Sequence, residues 1–305
     1  MRASAPGKLV LSGAYAVLEG APALVAAVDR YVHASDDDGR APPVLTDEVA
    51  EAQRRGWLDR APWFDAKGFR DEGRKLGLGS SAAILVACMA VGPAALRATA
   101  ADANENLGAW LFPRALAAHR AAQGGGSGVD VAAACFGGVL RATLVDGHLD
   151  VTPHDLPSGL VTATYACPTA ASTRAMLEAV GGLRARDADV HAAAMAAIGA
   201  GARSAVKAGD EEVAPFIAAL GTQFEGLDAL GVAAGVPIVT PAMRTLDARA
   251  RDEGARFGPS GAGGGDVALY YGTQRPSLGF RCAAEGLGLR PIDLNLGAAG
   301  VWREA

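Results

Sequence analysis

Apolar positions alternate between two spacings along this chain. Short apolar runs at 9–11 and 24–28, the second continuing through Tyr31 and Val32, are separated by Gly13, Gly20 and Pro22 and predict paired strands. A polar, proline-closed loop follows at 36–43, and the sequence from there to Gly73 is charged and irregular. The apolar run 82–91 predicts a helix, and 109–123 is alanine-rich with helical spacing until Gly124-Gly125-Gly126-Ser127-Gly128 stops it. A short helix starts at Val129 and ends at Gly137-Gly138; residues 139–145 then alternate like a strand, with the turn Asp146-Gly147 behind them. Residues 153–159 suit a hinge between domains. Beyond it, 160–166 reads as a buried strand and 172–180 as a helix capped by Ser172 or Thr173. Further helices are expected at 192–208, 211–230, 241–254 and 276–286, and strands at 267–271 and 289–294.

Composition narrows the class. A chain of 305 residues, 50% hydrophobic and 20% charged, is globular and fills one large or two ordinary domains. The 28 basic and 33 acidic residues give a net charge of −5 without a basic run, so no nucleic-acid footprint is present. No stretch reaches the ~18 apolar residues of a membrane span, and the start Arg2-Ala3-Ser4-Ala5 lacks a signal-type apolar core; a cytoplasmic protein without a membrane partner is expected. Cys88, Cys135, Cys167 and Cys282 are scattered and never spaced Cys-x-x-Cys, which favours reduced core thiols over disulfides or zinc.

Candidate chemistry centres on Lys75-Leu76-Gly77-Leu78-Gly79-Ser80-Ser81-Ala82, a glycine-bearing loop running straight into the helix at 82. Amides at a helix start lack intrahelical partners and carry the positive end of the dipole, so this is a prepared anion site suited to a polyphosphate. The alternative is an ordinary turn in which Ser80 or Ser81 caps the helix. The loop is not a Walker sequence, and the dinucleotide fingerprint needs a third glycine where Ala82 stands. A second glycine cluster, Gly258 through Ser260, Gly261, Ala262, Gly263 and Gly264 to Asp266, sits between a predicted helix and a predicted strand. Its glycine density suits close approach of backbone to a ligand, or else a flexible surface loop. Lysine is scarce: Lys8, Lys67, Lys75 and Lys207 alone occur, and Lys8 and Lys75 adjoin glycine-bearing turns, the placement expected of cations that neutralise transferring phosphoryl oxygens. Asp130, after Ser127-Gly128-Val129, either favours its helix N-terminus or aims a carboxylate at an acceptor, paired with Lys8.

Together the segments Ala5-Pro6-Gly7-Lys8 through Gly20, Gly77 to Ala82 and Gly258 to Asp266 resemble, in order and spacing, the three motifs of the galactokinase, homoserine kinase, mevalonate kinase and phosphomevalonate kinase (GHMP) superfamily. Within it, Ser12-Gly13-Ala14-Tyr15 to Glu19-Gly20, Lys75 before the glycine loop, and His119 to Gln123 followed by Gly126 to Asp130 resemble the phosphomevalonate kinase branch. The resemblance implies an α+β, two-domain GHMP kinase fold: a ribosomal protein S5 domain 2-like N-terminal domain at 1–155 and a ferredoxin-like C-terminal domain at 156–305, with the site in the cleft between them. It implies ATP phosphates on Lys75, Gly77, Leu78, Gly79, Ser80, Ser81 and Ala82, and catalytic roles for Lys8 and Asp130. The small-molecule acceptor would meet Lys8, Tyr15, Ser127, Gly128, Asp130, Ser260, Gly261, Ala262 and Gly263. Two departures stand out. Ala14 replaces a frequent glutamate, and His119 stands where mevalonate kinases place a magnesium-binding glutamate. Mg2+ is therefore expected through ATP oxygens and Ser80 or Ser81.

The activity implied is ATP-dependent transfer of a phosphoryl group to a phosphorylated acceptor, 5-phosphomevalonate, by a monomer or homodimer. The alternatives are an alcohol kinase of the same superfamily, acting on mevalonate or a sugar, and a non-catalytic nucleotide-binding sensor. With a phosphate acceptor, Lys8, Lys75, Arg74, Arg30 and His119 are the candidate cations for bringing two polyanions together.

Overall fold

Two large antiparallel sheets, a two-stranded ribbon and the helices laid on the sheets form the structure, a computed structural model that describes residues 1–36, 40–71, 73–93, 95, 107–170, 172–209 and 212–304. The first sheet is built on β1 (Arg2–Ser12) and β2 (Ala23–Ser35), antiparallel as the apolar runs predict but longer. β1 begins in Ala3-Ser4-Ala5-Pro6, small residues and a proline that carry no strand signal; the register shift between Pro6 and Gly7 marks a bulge where the missing N–H is tolerated. β3 (Trp63–Asp65) also pairs with β2, and β6 (Val139–Val145) with β7 (His148–Pro153) closes a hairpin over Asp146-Gly147, both at positive φ. Side-chain alternation sends Leu9, Leu11, Leu24 and Ala26 into one core, and Val10, Val25 and Ala27 into a second that also holds Val129 and Leu140.

Helices α1 (Asp47–Arg54), α2 (Ser80–Val91), α3 (Leu107–Gln123) and α4 (Val129–Phe136) pack together against β1 and β2. Residues 82–91 of α2 are all buried, as an all-round apolar helix must be. α1 lies in the stretch that reads as irregular. Its signal is short but physical: Thr46 Oγ1 accepts the Val49 N–H, with Asp47 and Glu48 in the first turn. Residues 37–39 of the expected polar loop lie outside the described residues.

The second sheet has the order β11-β8-β10-β9, from β8 (Val161–Ala166), β9 (Arg256–Pro259), β10 (Val267–Gly272) and β11 (Arg290–Ile292). In chain order this is fourth, first, third, second, a split βαβ arrangement. α5 (Thr173–Arg186), α6 (Ala188–Ala208), α7 (Val213–Ala234) and α8 (Pro241–Asp252) occupy the connection from β8 to β9, and α9 (Leu278–Gly286) that from β10 to β11. Ser172 caps α5, and Asp187 caps α6 by accepting from Val190 N–H. Both helices exceed their expected spans, because alanine and arginine favour helix even where no apolar stripe marks it. The expected start of α7, Glu211, lies outside the described residues. The glycine cluster expected between a helix and a strand is instead the connection of two strands: Gly258 and Pro259 belong to β9, and the loop leads into β10.

The chain then crosses back. Asn295 Nδ2 donates to Asp29 Oδ2 at 2.6 Å, Gly297 N–H donates to Ala27 O at 2.9 Å, and β12 (Trp302–Glu304) pairs with β1. The last strand thus completes the first sheet, which a C-terminal unit at 156–305 does not anticipate. Cys88, Cys135 and Cys167 are buried, Cys282 is exposed, and all four are free thiols. Among the described residues no helix is long and apolar enough to cross a membrane.

The tail is seated on glycine. A Cβ on Gly300 would lie 2.6 Å from Cys135 O, which is backbone and cannot swing aside. Gly300→Ala is expected to destabilise by about 1–3 kcal/mol, the usual range for overpacking. The measurement is the urea midpoint, and an unshifted midpoint would show that the tail is not packed this way.

Candidate active site

Gly77 and Gly79 are bare because the chain leaves them no room. A Cβ on Gly77 would fall 2.5 Å from Asp266 Oδ2, and one on Gly79 would fall 3.0 Å from Lys8 Cγ and 3.5 Å from Asp130 Cβ. Both also sit at positive φ, 67° and 74°. Gly79 occupies the N-cap of α2 without a side-chain cap bond, so neither Ser80 nor Ser81 is spent as a cap. The first turn bond is Ala83 N–H to Gly79 O, 3.2 Å, and the Ser80, Ser81 and Ala82 amides precede it. Amides in that position, at the positive end of a buried helix, are what a phosphate needs. Leu78 and Ala82 are buried as side chains, so they can contribute only main chain there.

Lys8 is threaded into this loop. Its N–H donates to Leu78 O at 2.9 Å and its Nζ to Gly77 O at 3.1 Å. Desolvation lowers its pKa from the ordinary lysine value, and the Asp130 and Asp266 carboxylates oppose that shift. Asp130 opens α4 after Gly128, the αL N-cap, and its expected direct pairing with Lys8 is replaced by another contact. Its Oδ2 lies 3.3 Å from His119 Nε2, and its Oδ1 accepts the Val131 N–H at 3.0 Å. Ser81 Oγ lies 3.4 Å from the same His119 nitrogen. Lys8 and Asp130 thus both border Gly79, in each other's field but without a direct ion pair.

The third glycine loop reaches the first two. Ser260 Oγ accepts the Val10 N–H at 3.0 Å and donates to Val10 O at 3.1 Å, tying the loop to β1 two residues past Lys8. Tyr15 is buried, and its hydroxyl donates to Ala262 O at 2.6 Å; its place is structural as much as facing any ligand. Gly261 is partly accessible, whereas Gly263 is buried against Ile238 O. Ser127, partly buried, accepts from Arg120 on its main-chain oxygen at 3.0 Å. Lys75 is exposed in β5 (Arg74–Lys75), paired with β4 (Arg70–Asp71), at the rim of a small cavity it shares with Asp266 and Thr169. Arg74 donates to Pro168 O and Arg30 to Asp293 O at 3.1 Å, so both candidate cations are engaged in holding the chain together.

Two residues were not singled out from sequence. Asp266 sits on Gly77 and acts on Lys8; its signal is the carboxylate that closes the glycine run. Gln223, buried in α7, takes Ser12 Oγ–H at 3.0 Å and Gly13 N–H at 2.7 Å on one oxygen. A lone glutamine amid apolar helix positions is its only trace.

Among the described residues no group of three or more His, Cys, Asp and Glu is arranged for a metal ion. The oxygens at hand are the Ser80 and Ser81 hydroxyls and the Asp130 and Asp266 carboxylates, a donor set that fits Mg2+ held chiefly by phosphate oxygens and water. The three leading amides and the two glycines fit a nucleotide's phosphates in the same way.

No protein-family model matches the chain, and no curated protein matches it in sequence. Solved structures do, and they define the class: this is the fold of the GHMP small-molecule kinases. A Lin0012 protein from Listeria innocua is 20% identical, with 99% of each chain covered and a TM-score of 0.82. Streptococcus pneumoniae phosphomevalonate kinase, in complex with phosphomevalonate and AMPPNP, is 20% identical over 97% of this chain and 99% of its own, with a TM-score of 0.76. L. major mevalonate kinase, in complex with R-mevalonate, follows at 16% identity, 98% and 97% coverage and a TM-score of 0.67. At these identities the likeness establishes the fold.

Gln223→Leu should strand the Ser12 hydroxyl and the Gly13 amide in the core, each loss worth about 1–3 kcal/mol. The expected outcome is a lower urea midpoint. A midpoint equal to that of the parent would exclude this link.

Proposed function

We propose that the chain is an ATP-dependent phosphotransferase whose acceptor is itself a phosphate monoester, 5-phosphomevalonate being the best candidate. The observation that carries it is the meeting of three distant glycine loops on one partly desolvated ammonium and one carboxylate, Lys8 and Asp130, across Gly79. The division into an N-terminal unit at 1–155 and a C-terminal unit at 156–305, with the tail returning to the first, belongs to the same proposal: Ser260 and Ala262 would close from one unit onto β1 and Tyr15 of the other.

On this reading the Ser80, Ser81 and Ala82 amides hold the nucleotide's phosphates, and Gly77 and Gly79 let them approach the main chain. Lys8 Nζ leaves Gly77 O and turns to the oxygens of the transferring group, where a compact cation with few waters to shed acts strongly. Magnesium bound to ATP supplies further charge neutralisation there. An alcohol acceptor requires a base, but a phosphate monoester has its second pKa near ~6 and arrives largely deprotonated at neutral pH. Catalysis then rests on positioning and on offsetting charge, with Asp130 as orienter. ADP release measured on a panel of 5-phosphomevalonate, mevalonate, homoserine and galactose should be fastest with the first. Turnover with mevalonate alone would make the protein an alcohol kinase, and thermal protection by nucleotide without turnover would make it a binding protein.

Lys8→Met should lower kcat on the order of 10²-fold or more, the loss typical of one transition-state charge contact, with ATP binding largely kept. Stability should not fall with it. The folded chain releases the Lys8 proton more readily than the unfolded one, so this residue's contribution to stability improves as pH rises through the window below the ordinary value of 10.5. A neutral side chain removes that penalty. A melting temperature clearly lowered at neutral pH would contradict it.

A further inference from the structure

His119 is the one buried ring in the site whose bonding the mechanism above leaves unused. It lies on α3 with 7% of its surface exposed, and its Nε2 faces Asp130 Oδ2 at 3.3 Å and Ser81 Oγ at 3.4 Å. Among the described residues its Nδ1 is buried without a hydrogen-bond partner. A ring placed for packing alone would be better served by an apolar side chain, because a buried ring nitrogen without a partner costs stability. The orphan atom therefore points to a function for the other nitrogen.

A bare Nε2 could accept the Ser81 O–H at 3.4 Å, but the Asp130 carboxylate at 3.3 Å selects against that arrangement. A bare Nε2 would set its lone pair against the Asp130 carboxylate, whereas Nε2–H donates to it, whether or not Nδ1 also carries a proton. With Val131 N–H on Oδ1 at 3.0 Å, both carboxylate oxygens are then held and rotation of the group is stopped. At 3.3 Å this is an ion-pair distance, and active-site contacts of this length commonly tighten into hydrogen bonds on binding.

We infer that His119 is the positioning residue of this site: donating from Nε2, it fixes the Asp130 carboxylate opposite Lys8 and keeps it as an orienting anion, not as a base. The inference deepens the kinase proposal and rests on it for its catalytic consequence. His119 would act through Asp130 without touching either substrate.

The test has two arms. In the first, 15N NMR of the histidine rings of the full chain, with the His119 signal assigned by its loss in His119→Gln, reads which nitrogen bears the proton. A proton on Nε2 is expected; a proton on Nδ1 with Nε2 bare overturns the inference. This arm needs no turnover, so a wild type silent on every acceptor would sink the kinase proposal while the tautomer still decides the role of His119. In the second, His119→Phe keeps an aromatic ring but no donor, and should lower kcat by about 10- to 100-fold, as loss of an orienting partner does, with KM for ATP little changed. His119→Gln places an amide nitrogen the same number of bonds from Cα as Nε2 and should restore most of the rate. Wild-type kcat in His119→Phe, or a glutamine variant no better than the phenylalanine one, overturns it. Melting temperatures of both variants separate loss of fold from loss of position.

Discussion

The close passage of Lys8 beneath the loop at 77–79 is the constraint from which the rest of the molecule follows. Three main-chain groups and one ammonium meet there: Leu78 O receives the Lys8 N–H and Gly77 O the Lys8 Nζ. A strand can approach a helix N-terminus this closely only where no side chain stands in the way, which accounts for glycine at 79, beside the Lys8 side chain, and at 7, where a Cβ would fall 2.9 Å from Leu78 O. It also accounts for α2. The helix whose amides lead out of this loop is buried from Ala82 to Val91, so the packed core fixes where its dipole ends. β1 in turn is held on both sides, by β2 and by β12, which is why the tail must return across the molecule.

How much of this could be read beforehand depended on whether a residue's signal was local. The helices at 82–91 and 109–123 announced themselves by spacing, and the strand pair by apolar runs bounded by turn residues. The three glycine loops were legible because glycine density is costly without a reason. α1 was missed, since eight residues cannot display a period and its Thr46 cap is a single-residue signal. Contacts that join remote segments left almost no trace. Nothing around Asn295 says that it meets Asp29, and nothing around Gln223 says that its oxygen serves Ser12 and Gly13. The expected Lys8–Asp130 pair is another such case: their proximity was legible, but the contact of Asp130 with His119 was not.

Burying a cation and leaving a ring nitrogen without a partner both work against stability. The molecule offsets them elsewhere. Asp247 receives two hydrogen bonds from Arg256 and one from the Phe257 N–H, which fixes β9 at the base of the third loop. Tyr165, Phe257, Tyr270 and Phe280 stack edge to face beneath the second sheet at centroid distances of 5.1–5.9 Å. Tyr15 and Asp266, both non-glycine residues at positive φ, and the orphan His119 Nδ1 lie where the glycine loops meet. Strain of this kind is common where it serves a site.

The character of His119 bears on the acceptor. Among the described residues, the Lys8 ammonium already has two carboxylates acting on it, Asp130 and Asp266. A third carboxylate in the place of His119 would repel an incoming anion by about 4 kcal/mol at 4 Å in a surface-like dielectric. With an alcohol as acceptor that repulsion falls on the nucleotide alone, and a bound cation can offset it. With a phosphate monoester it falls on both partners, each of which already repels the other. Histidine can orient Asp130 and can never be negative. A site that must admit two polyanions together is better built with it than with glutamate, and this is the physical ground on which a phosphorylated acceptor is preferred here over an alcohol.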